Sequence, residues 1–141
     1  MELQALYGIA KQQNIEVLTF PLRTTGSVSV MEGGKCFVGM DQSILDGSTQ
    51  ERTHLAHELG HCVTGSFYNR YAAIDCRQRH ENRANKRAIE WLIPLDALDQ
   101  AIADGHTALW DLAEHFGVTE DLLRKAVCWY TYGNLATELF F

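Results

Sequence analysis

His57, Glu58 and His61 stand in the order His57-Glu58-Leu59-Gly60-His61, the pattern H-E-x-x-H. In a helix, residues four apart share a face, so His57 and His61 can aim two imidazoles at one metal ion. Glu58, beside the first of them, can hold a water and take its proton, the division of labour of a zinc peptidase. Leu55, Leu59 and Val63 recur every fourth residue, with Ala56 among them, and give such a helix a face to bury. Gly65 is placed to end it. The same residues would also suit a buried helix that merely carries two histidines.

A catalytic zinc takes three protein ligands and keeps a fourth position for water, so two histidines are not enough. His54 lies on a neighbouring part of the same helix surface, but seven residues from His61, about 10.5 Å of axial rise. It reads as a supporting or surface histidine. Glu81 is the stronger candidate, at the start of a second helix twenty residues after His61. Glu81, Ala84, Asn85, Ala88 and Leu92 fall on one face by three- and four-residue steps, and the alanines allow a close approach to the first helix. Asn85 can accept a hydrogen bond from the outer nitrogen of a ligand histidine and so fix its tautomer. Two alternatives stay open: Glu81 as an ordinary acid favoured by the helix dipole, and His80 as the ligand in its place. Tyr68, Tyr71, His80 and Arg83 are candidate donors to a developing oxyanion, and the sequence does not choose among them.

These residues need elements to position them. The spacing predicts a helix over Glu2–Gln13, with Leu3, Leu6, Tyr7 and Ala10 on one side. Strands are expected at Glu16–Leu22, where Pro21 marks an edge or an end, at Ser27–Glu32, and at Lys35–Gln42, the last two joined by Gly33-Gly34. Together they make a small antiparallel sheet. The Lys35–Gln42 strand is expected either at the sheet edge above the metal, where it could hold an extended substrate, or as a plain core strand. The metal-motif helix follows from about Gln50. The 67–79 stretch reads as a loop or short broken helix whose three arginines and two tyrosines face the site or water. A second long helix is predicted from about His80 to Ile93, ended by Pro94, then helices over Leu95–Ala103, Ala108–Phe116 and Glu120–Tyr132, the last capped by Thr119.

The length of 141 residues suits one domain with a real core: a catalytic part over about 1–95 and a helical C-terminal part over about 96–141. No apolar run approaches a membrane span, and the N-terminus lacks the layout of a signal peptide, so the cytoplasm is the expected compartment. There Cys36, Cys62, Cys76 and Cys128, without a C-x-x-C pair, are expected as separate thiols. The net charge of −6 argues against a general nucleic-acid binder. Leu112-Ala113, Phe116-Gly117-Val118-Thr119 and Leu122-Leu123-Arg124 do resemble a helix-turn-helix. However, between Thr107 and Tyr130 the acids Asp111, Glu114, Glu120 and Asp121 outnumber the bases Arg124 and Lys125, which does not suit a groove-reading element.

His57–His61 followed by Glu81-Asn82-Arg83-Ala84-Asn85 resembles the H-E-x-x-H and E-x-x-A-N signature of the ImmA/IrrE metallopeptidases. The similarity extends over Thr24 to Pro94, through Gly26, the glycine hairpin and Arg52–Ala56, and loosely into the C-terminal helices. His54 and Trp91-Leu92-Ile93 depart from the family pattern without touching the proposed ligands or base. The resemblance implies a zincin-like α+β fold and one zinc per chain on His57, His61 and Glu81, with Glu58 as base. It also implies a protein substrate, a helix-turn-helix repressor of a phage or mobile element. The alternatives are a zinc-binding anti-repressor without turnover and, further off, a DNA-binding protein.

Overall fold

The computed structural model describes residues 1–68 and 71–137. The elements run α1 (Leu3–Gln12), β1 (Glu16–Thr19), β2 (Ser27–Glu32), β3 (Lys35–Met40), α2 (Thr49–Thr64), α3 (Ile74–Leu92), α4 (Leu95–Ala103), α5 (Leu109–Phe116) and α6 (Glu120–Tyr132), with a 3-10 turn at Gln42–Ile44 before α2. This is an α+β architecture in which a small sheet and four further helices surround the α2–α3 pair.

The sheet is mixed, not wholly antiparallel. Its order is β1-β3-β2: β2 pairs antiparallel with β3 through the Gly33-Gly34 turn, and β1 pairs parallel with the other side of β3. β3 is therefore the central strand. The expectation that Lys35–Gln42 could form the edge above the metal is overturned, because β1 occupies its second edge. The edge on the α2 side is β2. Cys36, Val38 and Met40 of β3 alternate inward and are 6%, 0% and 1% exposed. β1 stops at Thr19, short of Pro21, as a residue without an N–H requires.

α2 carries Leu55, Ala56 and Leu59 fully into the core, whereas Val63 at its last turn stays partly exposed. Gly65, at φ +64, ends the helix in a left-handed turn, and the Ser66 amide returns to the His61 carbonyl. α3 begins six residues before the expected His80. Its first turns, from Ile74 to Arg79, expose Ile74 and carry no apolar periodicity, so helix-favouring polar residues form them without an amphipathic signal. Arg70, one of the three arginines of the 67–79 stretch, lies outside the described residues.

The two central helices meet at Gly60. A β-carbon there would lie 2.5 Å from the Ala84 carbonyl oxygen, so only a glycine permits the approach. Ala84 and Ala88, both fully buried, are the matching small residues on α3.

Cys36 and Cys62 form a disulfide, with Cα atoms 5.9 Å apart, instead of standing as separate thiols. Cys36 faces inward from the central strand, and Cys62 lies on α2 where that helix crosses the sheet. A separation of 26 residues gave no motif to announce the pair. Cys76 remains a thiol.

The C-terminal helices pack through α6 on α3 and are bonded to the first turns of α2. Leu112, Leu122, Leu123 and Ala126 belong to the same hydrophobic cluster as Leu55 and Leu59. Arg52 reaches out from α2: its guanidinium donates to the carbonyls of Phe116 and Gly117 at 2.7 and 2.6 Å, and to Met1 O at 2.8 Å. The Thr119 amide donates to Thr53 Oγ1. The turn that resembles part of a helix-turn-helix is thus hydrogen-bonded to the metal-motif helix. Among the described residues, no helix is long and apolar enough to cross a membrane.

Candidate metal centre

His57 and His61 project from one face of α2, as the four-residue spacing requires, with ring centroids 4.8 Å apart. Glu81 meets them from α3. Its Oε2 lies 2.9 Å from His57 Nε2, and its Oε1 3.2 Å from His61 Nε2. One ligand atom from each of the three falls within 4.8 Å of the others, a group that could hold a metal ion. Among the described residues neither His54 nor His80 enters such a group.

The outer nitrogens are anchored. His57 Nδ1 donates to Asn85 Oδ1 at 2.7 Å, one turn along α3 from Glu81. His61 Nδ1 donates to the carbonyl of Ser66 at 2.5 Å, and Ser66 is fully buried. Sequence reading missed Ser66. The left-handed turn at Gly65 swings its carbonyl back under the helix end, a placement that no periodicity reports.

These anchors test whether the site fits a cation. An oxygen that only accepts requires the proton on each Nδ1, so each neutral imidazole turns its Nε2 lone pair toward the Glu81 carboxylate. Two lone pairs and a carboxylate facing one point need a positive charge between them. Consistent with this, burial works to lower the His61 pKa, but the Glu81 carboxylate and the Ser66 carbonyl outweigh it and the net direction is up. Burial alone would raise the Glu81 pKa, but with a proton on Nε2 in the cation's stead the hydrogen bonds and charge of His57 and His61 hold it well below the usual carboxylate range. Two imidazole nitrogens with one carboxylate is a donor set that suits zinc.

Glu58 is 6% exposed and points to the cleft beside His57. The cleft, about 710 Å³, is bordered by Ser27, Val28 and Ser29 of β2 on one side and by Thr119, Leu122 and Lys125 at the start of α6 on another. The C-terminal helices therefore supply one wall of the site. Of the four candidate oxyanion donors, Tyr68 lies closest to the centre. Its hydroxyl donates to Glu81 Oε1 at 2.9 Å, and its ring stacks on His80. Tyr71 is 79% exposed and Arg83 also faces solvent.

The family model Peptidase_M78, described as the IrrE N-terminal-like domain, matches residues 37–127. This span holds most of β3, the α2–α3 pair, all three converging residues and most of α6. No curated protein and no solved structure matches the chain.

Proposed function

Because the chain belongs to the metallopeptidase family of the IrrE N-terminal-like domain, we propose that it is a zinc endopeptidase acting on a regulatory protein in the cytoplasm. The observation that carries this is the convergence of His57, His61 and Glu81 beside a buried Glu58 in an open cleft. His57, His61 and Glu81 would hold one zinc. When bound, zinc supplies a water of lowered pKa, near 7, and a Lewis acid for the peptide carbonyl.

The chain's own residues do the rest. Asn85 and Ser66 keep both imidazoles in the Nδ1–H tautomer, so their Nε2 lone pairs stay directed at the ligand position. Glu58 takes a proton from the attacking water and returns it to the leaving nitrogen. Tyr68, within reach of Glu81, donates to the oxygen on which charge develops once Glu81 is engaged. The outer edge of β2, unpaired among the described residues, accepts the substrate backbone as an added strand, which suits an extended segment of a protein. The resemblance to the ImmA/IrrE enzymes points to a helix-turn-helix repressor of a phage or mobile element as that protein.

The test is incubation of the zinc-loaded chain with the helix-turn-helix repressors encoded near its gene. Cleavage of one of them that falls by roughly two to four orders of magnitude in Glu58→Gln, with zinc content unchanged, is expected. Cleavage at the wild-type rate by Glu58→Gln sinks the mechanism. Stable repressor binding without any cleavage identifies instead an anti-repressor that needs no turnover.

A further inference from the structure

Ser27 stands at the first position of β2 and is 7% exposed. Its hydroxyl donates to Glu58 Oε2 at 2.6 Å and lies 2.7 Å from His54 Nδ1. Three groups on two elements thus form one chain, running from the half-buried His54 through buried Ser27 to the base at the cleft wall. Its direction follows from counting protons. An ionised carboxylate only accepts, so the single hydroxyl proton of Ser27 goes to Glu58. The hydroxyl oxygen then has lone pairs alone to offer His54, and Nδ1 must be the donor. Burial lowers the His54 pKa, in keeping with a neutral ring.

The backbone is shaped to admit that ring. Gly26 precedes Ser27 at φ +79, and a β-carbon there would lie 3.0 Å from His54 Cε1 and 3.4 Å from Nε2. The bend into β2 leaves the imidazole its seat, and the next residue bonds it.

We propose that Ser27 and His54 are positioning residues for Glu58: the chain from His54 Nδ1–H through Ser27 Oγ–H to Glu58 Oε2 fixes the carboxylate and reserves Oε1 for the proton it takes. A proton placed on Oε2 would face the Ser27 hydroxyl proton, and His54 Nδ1, the hydroxyl's other partner among the described residues, is already protonated. Oε2 is therefore closed to proton uptake, and the base works through one oxygen. The inference rests on Glu58 being the base. It gives a role to His54, a residue that departs from the family pattern and stays outside the converging ligand group.

The first readout needs no turnover. In the full-length protein with 15N-labelled histidine, long-range proton–nitrogen spectra report which ring nitrogen carries hydrogen, and His54 is identified by its loss in His54→Asn. The expected result is a neutral His54 protonated at Nδ1, with this preference lost in Ser27→Ala. A His54 protonated at Nε2 in the wild-type protein overturns the proposal. The second readout uses zinc-loaded protein and fluorescein-labelled casein. Ser27→Ala is expected to lower kcat about 10- to 100-fold with KM and zinc content unchanged. Ser27→Thr, which keeps the hydroxyl, is expected to recover most of that loss, and His54→Asn, which keeps a donor at the Nδ1 position, to retain most of the wild-type kcat. Failure of Ser27→Thr to do better than Ser27→Ala, with both folded, also overturns it. Glu58→Gln separates the two ideas. If it stays active, the base assignment fails. If it is dead while Ser27→Ala keeps full kcat, only the positioning chain fails. If the casein is not cleaved, the tautomer decides.

Discussion

At the residue scale, the centre depends on atoms that aim other atoms. Glu81→Ala removes the only carboxylate of the converging group and is expected to lose most zinc affinity, measured by competition with a chromophoric chelator. Asn85→Ala leaves the three ligand atoms intact but frees His57 Nδ1, and a loss of about 10- to 100-fold in affinity is expected. Zinc affinity unchanged in Glu81→Ala would move the third ligand elsewhere. The shared faces of His57 with His61 and of Glu81 with Asn85 were legible in the sequence, because three- and four-residue steps on a helix translate directly into a shared face, whereas the meeting of the two faces was inferred from the need for a third ligand and from the resemblance. Ser66 and Ser27 were not. One reaches the site through a left-handed turn and the other through the start of a strand, and neither geometry leaves a periodic trace. His54 was legible as a residue outside the ligand set, and its bond to Ser27 was not.

At the element scale, the contact between α2 and α3 decides whether the site exists at all, since one helix brings the imidazoles and the other the carboxylate. Gly60→Ala would drive a methyl into the Ala84 carbonyl, which is backbone and cannot swing aside. The helices must separate, at a cost of about 1–3 kcal/mol in denaturant unfolding. Zinc affinity should fall with it, because Glu81 lies one turn from Ala84. A Gly60→Ala protein of unchanged stability and zinc affinity would show that the close approach is not needed. Ala84 and Ala88 announced this packing from the α3 side, while Gly60, inside the histidine motif, was easy to read as a spacer. The helix boundaries from α4 to α6 were legible from apolar spacing and glycine or proline stops. The early start of α3 and the central position of β3 were not, because the former has no buried stripe and the latter is a matter of strand order, which local pattern does not encode.

At the scale of the whole molecule, the C-terminal helices are bonded to the helix that carries the histidines and form part of the cleft wall. The turn before α6 is bonded to Arg52 and Thr53, Leu122 and Leu123 are buried, and α6 begins at the cleft wall. The leucine spacing was legible, but its destination was not, since packing on the α2–α3 pair and packing of a helix-turn-helix need the same apolar face. No mobility shift with DNA in the nanomolar range at physiological salt is expected; such a shift would promote the DNA-binding reading. Arg52→Ala should lower stability by about 1–3 kcal/mol, as charge-assisted bonds to partly buried carbonyls are lost. The anchoring of both imidazoles by Asn85 and Ser66, between helices already packed through Leu59, Ile89 and Leu92, has a thermodynamic corollary. On this packing the chain is expected to fold before any metal arrives, so that metal would act on unfolding by mass action. Chelation should leave the far-ultraviolet circular dichroism unchanged while the Tm drops. Restoring free zinc to 100 times its Kd should return about 2.7 kcal/mol, on the order of 10 °C. The melting temperature of this protein would then rise with the logarithm of free zinc, a gauge of the ion's activity in the surrounding solution.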